Sequence, residues 1–236
     1  MKTQLETALP SPTYLEAVKR IGTGLAFVLF PLVFIFAFAI HPGLLAPRLL
    51  GPQELIQRAH GDSLLQFGHV LVTLSTGLLV VIALRFKSVL DRHAAGWAGL
   101  VGAALAIFGA LMLAADKGAL CLTMSALDTL PEGVFAQFLP GLLAMFSKAG
   151  WLALLWGFVA LPVGFAIQAV ALLKTRALPR WQGVLFLIGV LLVGTPDGME
   201  AINLSASFLM GIALVPYGIK LIVDRPEQGT RTNGKR

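Results

Sequence analysis

Six long apolar runs constrain the fold of this chain more than any other feature. The runs cover residues 21–40, 64–84, 95–115, 150–173, 179–195 and 201–223, and the first four contain no Asp, Glu, Lys or Arg. A transmembrane α-helix needs about 20 mostly apolar residues, because backbone polar groups in hydrocarbon must bond within the helix. The sequence therefore predicts an all-α fold, a polytopic bundle with six transmembrane helices.

Composition excludes an ordinary water-soluble domain. Of the 236 residues, 57% are hydrophobic and 13% are charged, whereas soluble domains carry about 25% charged residues. The single cysteine, Cys121, excludes an internal disulfide and any metal site built from several cysteines. We expect one integral membrane domain over 1–236 with polar tails at 1–20 and 224–236, no cofactor and no nucleic-acid partner.

The distribution of charge predicts how the bundle is oriented. With the N-terminus in the cytoplasm, 14 of the 18 Lys and Arg residues fall on the inner side and 4 on the outer side. An excess of Lys and Arg is typical of cytoplasmic loops. Acidic residues show the opposite bias, with five inside and seven outside. We therefore expect both termini to be cytoplasmic.

The third run carries a pattern of small residues. They recur at every fourth position, at Gly102, Ala106, Ala110 and Ala114. Small residues at this spacing let helix backbones approach closely within a membrane. This face is expected to lie centrally in the bundle or to contact an oligomer or partner membrane protein. Residues 116–149, which follow, mix charged and apolar side chains and predict one or two short amphipathic helices at the outer surface.

A polar segment, Thr195-Pro196-Asp197-Gly198-Met199-Glu200, separates the last two runs. Because the fifth run is short, this segment is expected near the membrane boundary. Asp197 and Glu200 are three residues apart, and Asn203 and Ser207 continue the same helical face, which suits the binding of a cation or the relay of a proton. The competing interpretation is a capping box, with Asp197 as the N-cap and Glu200 at the third helical position.

Three histidines fall in the outer half of the predicted bundle. His41 and His69 come from adjacent runs at similar depth, an arrangement that would suit two haem or metal ligands. The simpler interpretation of His69 is a hydrogen bond to a neighbouring helix. His60 and Asp62 precede the second run and form a candidate metal or catalytic pair, but Asp62 also suits the N-cap of the helix that begins there.

Several short motifs resemble an uncharacterised family of bacterial six-span membrane proteins. They are His41-Pro42 after the first run, His69 inside the second, and the stretch from Leu178-Pro179-Arg180-Trp181 to Pro216-Tyr217-Gly218-Ile219. The resemblance covers about residues 20–223. It implies a multi-pass protein of the bacterial plasma (inner) membrane, and it implies no particular reaction.

Polar residues cluster at the outer side of the bundle, and Pro31 and Pro162 lie in the middle of their runs. This combination favours a small-solute or ion transporter, or an accessory to one. The candidate polar site consists of His41, His60, Asp62, His69, Asp197, Glu200 and Asn203. A structural or regulatory membrane partner is the first alternative, because no strong charge lies deep within the runs. The second alternative is a histidine-liganded redox or lipid-modifying enzyme. Of these classes, we favour a protein that is not an enzyme.

Overall fold

The fold is all-α, as the sequence predicts. The computed structural model describes residues 12–41, 44, 51–146, 149–193 and 199–224, and within these residues it contains eight helices and no strand. The helices are α1 (Pro12–Ala39), α2 (Pro52–Ala59), α3 (Ser63–Asp91), α4 (Gly96–Leu127), α5 (Glu132–Phe146), α6 (Ala149–Thr175), α7 (Arg180–Leu192) and α8 (Glu200–Val223).

Four of these helices, α1, α3, α4 and α8, are long and apolar enough to cross a membrane. Shorter apolar stretches occur in α6 over Val159–Thr175 and in α7 over Arg180–Leu192. Each predicted apolar run thus corresponds to a helix, but several helices extend beyond the runs. α1 begins at Pro12, and α4 continues to Leu127, so that Asp116 lies inside a ring helix instead of in a separate surface helix. Apolar content ends where hydrocarbon would end, whereas helical hydrogen bonding continues until a cap or a breaker stops it.

Six helices form a closed ring in the order α1, α3, α4, α6, α7, α8 and back to α1. Neighbours in the ring are antiparallel. Within the α1–α8 pair, for example, Arg20 near the start of α1 donates hydrogen bonds to the carbonyl oxygens of Leu221 and Ile222, at 2.8 and 2.7 Å. At the other end of the same pair, His41 meets Glu200. The ring brings the start of the first helix and the end of the last helix to the same end of the bundle.

Glycines allow the closest helix contacts. At the α1–α8 crossing, a Cβ on Gly24 would lie 2.7 Å from the carbonyl oxygen of Gly218. At the α4–α6 crossing, a Cβ on Gly164 would lie 2.6 Å from the carbonyl oxygen of Gly102. The small-residue face of α4 therefore packs against α6 of the same chain. Close helix contact at this face agrees with the small-residue pattern, and the expectations of a central position and of a partner protein stay predictions.

Aromatic side chains fill the middle of the ring. Phe86 of α3 lies with its ring centroid 5.3 Å from both Phe27 of α1 and Phe186 of α7. Phe186 also contacts Phe165 of α6, at 5.8 Å. Beside this cluster is a small apolar cavity of about 20 Å³. All eleven of its lining residues are apolar, and they come from α1, α3, α6, α7 and α8 or follow α7 directly.

The two ends of the ring differ in charge. We call the end where α1 begins and α8 ends the basic end, and the opposite end the histidine end. Among the described residues, the basic end carries Lys19, Arg20, Arg85, Lys87, Arg92, Lys174, Arg176, Arg180 and Lys220 against Glu16, Asp91 and Asp224. The histidine end carries Arg58 and Lys117 against Glu54, Asp62, Asp116, Asp128, Glu132 and Glu200. The bundle is thus strongly polarised along its axis.

Two helices outside the ring, α2 and α5, pack together at the histidine end. Ile56 of α2 forms a small apolar cluster with Met124 at the end of α4 and with Phe135 and Leu142 of α5. The short helix predicted within residues 116–149 is therefore present as α5. The first part of that segment belongs to α4 instead, because no helix breaker occurs before Pro131.

Candidate functional site

The histidine end contains a pair of ionisable side chains, the half-buried His41 and the buried Glu200. His41 follows the end of α1, and Glu200 is the first residue of α8. Nδ1 of His41 lies 3.1 Å from Oε1 of Glu200, and the two side chains are 17% and 2% exposed. The positive end of the α8 dipole also favours an anion at the position of Glu200. The pair therefore joins the two helices that close the ring.

The position of Glu200 corrects the capping-box interpretation. The N-cap of α8 is Met199, which makes no side-chain cap hydrogen bond, and Glu200 is the first helical residue instead of the third. A carboxylate at the third position reaches back to the N-cap backbone, whereas this one lies beside the imidazole of His41, which follows the end of α1. Asp197, the predicted partner of Glu200, lies outside the described residues.

The helical face predicted for α8 is confirmed as a buried polar face. Glu200, Asn203 and Ser207 are all buried, and Ser207 is fully so. The Ser207 hydroxyl donates a hydrogen bond to the carbonyl oxygen of Asn203 at 2.8 Å. Seven residues of helix span about 10 Å, so this face extends from the histidine end towards the centre of the ring. It ends at Met210, which is among the residues that line the apolar cavity.

His60 and Asp62 lie in a separate group, between α2 and α3. Nδ1 of His60 is 3.2 Å from Oδ1 of Asp128, and its ring stacks on Phe135 with 3.7 Å between centroids. The backbone N–H of Gly61 donates to the same Asp128 oxygen at 2.8 Å. Oδ1 of Asp62 accepts from the backbone N–H of Leu65 at 2.9 Å. The N-cap interpretation of Asp62 is confirmed, and the group as a whole holds the α2–α5 unit against the end of α4.

His69 lies in α3 near the His41 end of α1. A Cβ on Gly68, its neighbour, would lie 3.0 Å from Cδ1 of Ile40. The adjacent placement of the two histidine-bearing segments is therefore as expected. Among the described residues, no three His, Cys, Asp or Glu side chains come together in a way that could hold a metal ion. A haem or metal held by His41 and His69 stays an untested hypothesis beside the expectation of no cofactor.

Sequence reasoning did not foresee the burial of Asp116 and did not single out Gln168. Asp116 is buried within α4, with Oδ2 3.4 Å from Nζ of the adjacent Lys117. Gln168 of α6 is fully buried, and its Nε2 donates to the carbonyl oxygens of Ala83 in α3 at 3.0 Å and Gly99 in α4 at 3.3 Å. The available signal for Gln168 was a single amide in an otherwise apolar run, since interhelical hydrogen bonds stabilise such bundles.

Fold and site together define an all-α protein with four membrane-capable helices and a buried histidine–glutamate pair at one end of a six-helix ring. Comparisons of the chain with family models, with curated proteins and with solved structures found no match.

Proposed function

We propose that the chain is a six-span protein of the bacterial plasma membrane with both termini in the cytoplasm, related to the uncharacterised six-span proteins that its motifs resemble. Support comes from the placement of the start of α1 and the end of α8 at the basic end of the ring, since cytoplasmic segments are rich in Lys and Arg. In this orientation the histidine end faces the outside. The exposed leucines, valines and phenylalanines around the ring would then contact lipid.

We further propose that the protein is a transporter of an ion or small solute, or an accessory subunit of one, and that the His41–Glu200 pair is its exchange site. The pair itself is the observation that carries the proposal. Ionisable groups within a membrane bundle are costly and are usually retained for function. Imidazole is also the side chain that changes charge between pH 5 and 8. A proton is accordingly the simplest species for this pair to exchange.

The geometry suggests a path from the outside to the pair and along α8. His41 is the more exposed partner and would receive the proton first. Glu200 lies behind it and would accept the proton at its carboxylate, beside Asn203 and Ser207 on the buried polar face of α8. Beyond Ser207 the interior is apolar and filled by aromatic rings, so passage to the basic end requires the ring helices to move. Pro31, Pro162 and Pro216 lie inside three of those helices, and prolines are common at helix bends.

Proton flux into reconstituted vesicles tests this proposal. We expect vesicles that carry the wild-type chain and an internal pH-sensitive dye to dissipate an imposed pH gradient faster than protein-free vesicles. Glu200→Gln keeps the shape of the side chain and should reduce the rate to that of protein-free vesicles. Asp128→Asn is the matched control, because it alters the other histidine–carboxylate pair at the same end and should retain the wild-type rate.

Two results would contradict the proposal. Wild-type vesicles that dissipate the gradient no faster than protein-free vesicles would exclude proton exchange by the chain alone. A Glu200→Gln variant that retains full flux would make the pair a structural link between α1 and α8. The second result would favour the alternative from the sequence, in which the protein is a structural or regulatory partner of another membrane protein.

A further inference from the structure

The turn between α6 and α7 at the basic end presents three cationic side chains. Lys174, Arg176 and Arg180 are all exposed, and residues 173–182 contain no Asp or Glu. Within the part of the chain that the structure describes, none of the three forms an ion pair. We define these three residues together with Trp181 as the turn site.

Other cations at the same end are already engaged. Arg20 donates to the carbonyl oxygens that end α8, and Arg85 donates to the Tyr217 hydroxyl at 3.2 Å. Nζ of Lys87 lies 2.7 Å from Oδ2 of Asp91. The turn site differs from these cations because its three charges are exposed on one short segment, and none has an acidic partner among the described residues. An anionic partner would compensate them.

An exposed apolar face begins directly beside these charges. Trp181 is 50% exposed, and the exposed residues Val184, Ile188 and Leu191 follow it along α7. Their spacing of three and four residues places them on one side of the helix. Tryptophan is enriched at the boundary between lipid headgroups and hydrocarbon. The three cationic side chains and the apolar strip of α7 thus form one continuous surface.

We propose that the turn site binds the headgroup of an anionic phospholipid of the cytoplasmic leaflet, with the acyl chains along the exposed face of α7. Basic pockets beside transmembrane helices recognise anionic headgroups in this way. A soluble acidic protein would compensate the cations but would leave Val184, Ile188 and Leu191 uncovered. A phospholipid covers both parts of the surface.

The inference depends on the proposed insertion into a membrane but not on proton exchange. The test reconstitutes the full chain in phosphatidylcholine vesicles that contain either brominated phosphatidylglycerol or brominated phosphatidylcholine at equal mole fraction. Bromine on the acyl chains quenches nearby tryptophan, and the Trp181→Phe variant gives the share of quenching that belongs to Trp181. We expect about fivefold stronger quenching of Trp181 by the anionic lipid, since one basic residue near the surface contributes about 1 kcal/mol.

Two triple variants separate a defined site from diffuse attraction. Lys174→Gln/Arg176→Gln/Arg180→Gln should abolish the preference for phosphatidylglycerol. The matched control is Lys19→Gln/Arg92→Gln/Lys220→Gln, which removes the same charge from exposed positions at the same end and should retain the preference.

Three results would overturn the inference. The first is equal quenching by both lipids in the wild-type chain, and the second is an equal loss of preference in both triple variants. The third is a chain that shows no preference for either lipid but binds a polyglutamate peptide through the turn site. This result would indicate an acidic protein partner. A chain that fails to float with the vesicles would contradict membrane insertion itself, and that failure is distinguishable from the other three.

Discussion

The burial of the Glu200 carboxylate has to be compensated by the groups around it, because an isolated charge in a low-dielectric interior is costly. His41 at 3.1 Å and the N-terminus of α8 both do so. The sequence pattern identified Glu200 and its face on α8 but not His41 as its partner. The two residues are distant in the chain, and their contact depends on the closure of the ring by α1 and α8. Gln168 was missed for a similar reason, since its two acceptors belong to other helices.

Loss of His41 should therefore destabilise the protein strongly. We expect His41→Leu to lower the free energy of unfolding by about 3–5 kcal/mol, because it leaves the buried Glu200 carboxylate without the imidazole. Denaturant titration in detergent at neutral pH measures this change. His60→Leu is the control, and its loss should be about 1 kcal/mol, because Asp128 is partly exposed and keeps its hydrogen bond from Gly61. An equal fall in the free energy of unfolding in both variants would contradict the account, because burial of the Glu200 carboxylate would then cost no more than that of Asp128.

Individual helices were largely predictable from hydropathy, but their ends were not. A charge-free run indicates that a helix can cross hydrocarbon, and each of the six runs corresponds to a helix among the described residues. The continuation of α4 past Asp116 was not predicted, because a charged residue ends an apolar run without ending a helix. The start of α8 at Glu200 lies one residue before the sixth run, whereas the capping interpretation of Asp197 favoured an earlier start. The packing of α4 was predicted from Gly102 and Ala106, because small residues act locally on the distance between backbones.

The α4–α6 contact should accordingly be intolerant of any added side chain. In Gly164→Ala, the new Cβ would lie 2.6 Å from the carbonyl oxygen of Gly102, so the two helix backbones would have to separate. We expect the free energy of unfolding to fall by about 1–3 kcal/mol. Gly77→Ala is the matched control, because a Cβ at that helical position has nothing within 4 Å. This control should be neutral or stabilising by up to about 1 kcal/mol. A Gly164→Ala variant as stable as the control would contradict the close packing.

For the whole molecule, the separation of charge along the ring determines what each end can do. The basic end would face the cytoplasm and its anionic lipids, and the histidine end with its buried pair would face the outside. The proposed proton path and the proposed lipid site both depend on this orientation. This orientation requires that α3 crosses the membrane, so that Arg58 and Lys87 lie on opposite sides.

Labelling of these two positions on intact cells tests the orientation most directly. The side chains of Arg58 and Lys87 are 39% and 34% exposed and lie at opposite ends of the ring. In a Cys121→Ser background, a membrane-impermeant maleimide should label Arg58→Cys on intact cells. Lys87→Cys should be labelled only after the cells are permeabilised. Labelling of Lys87→Cys but not Arg58→Cys on intact cells would reverse the orientation, and labelling of both would show that α3 does not cross the membrane.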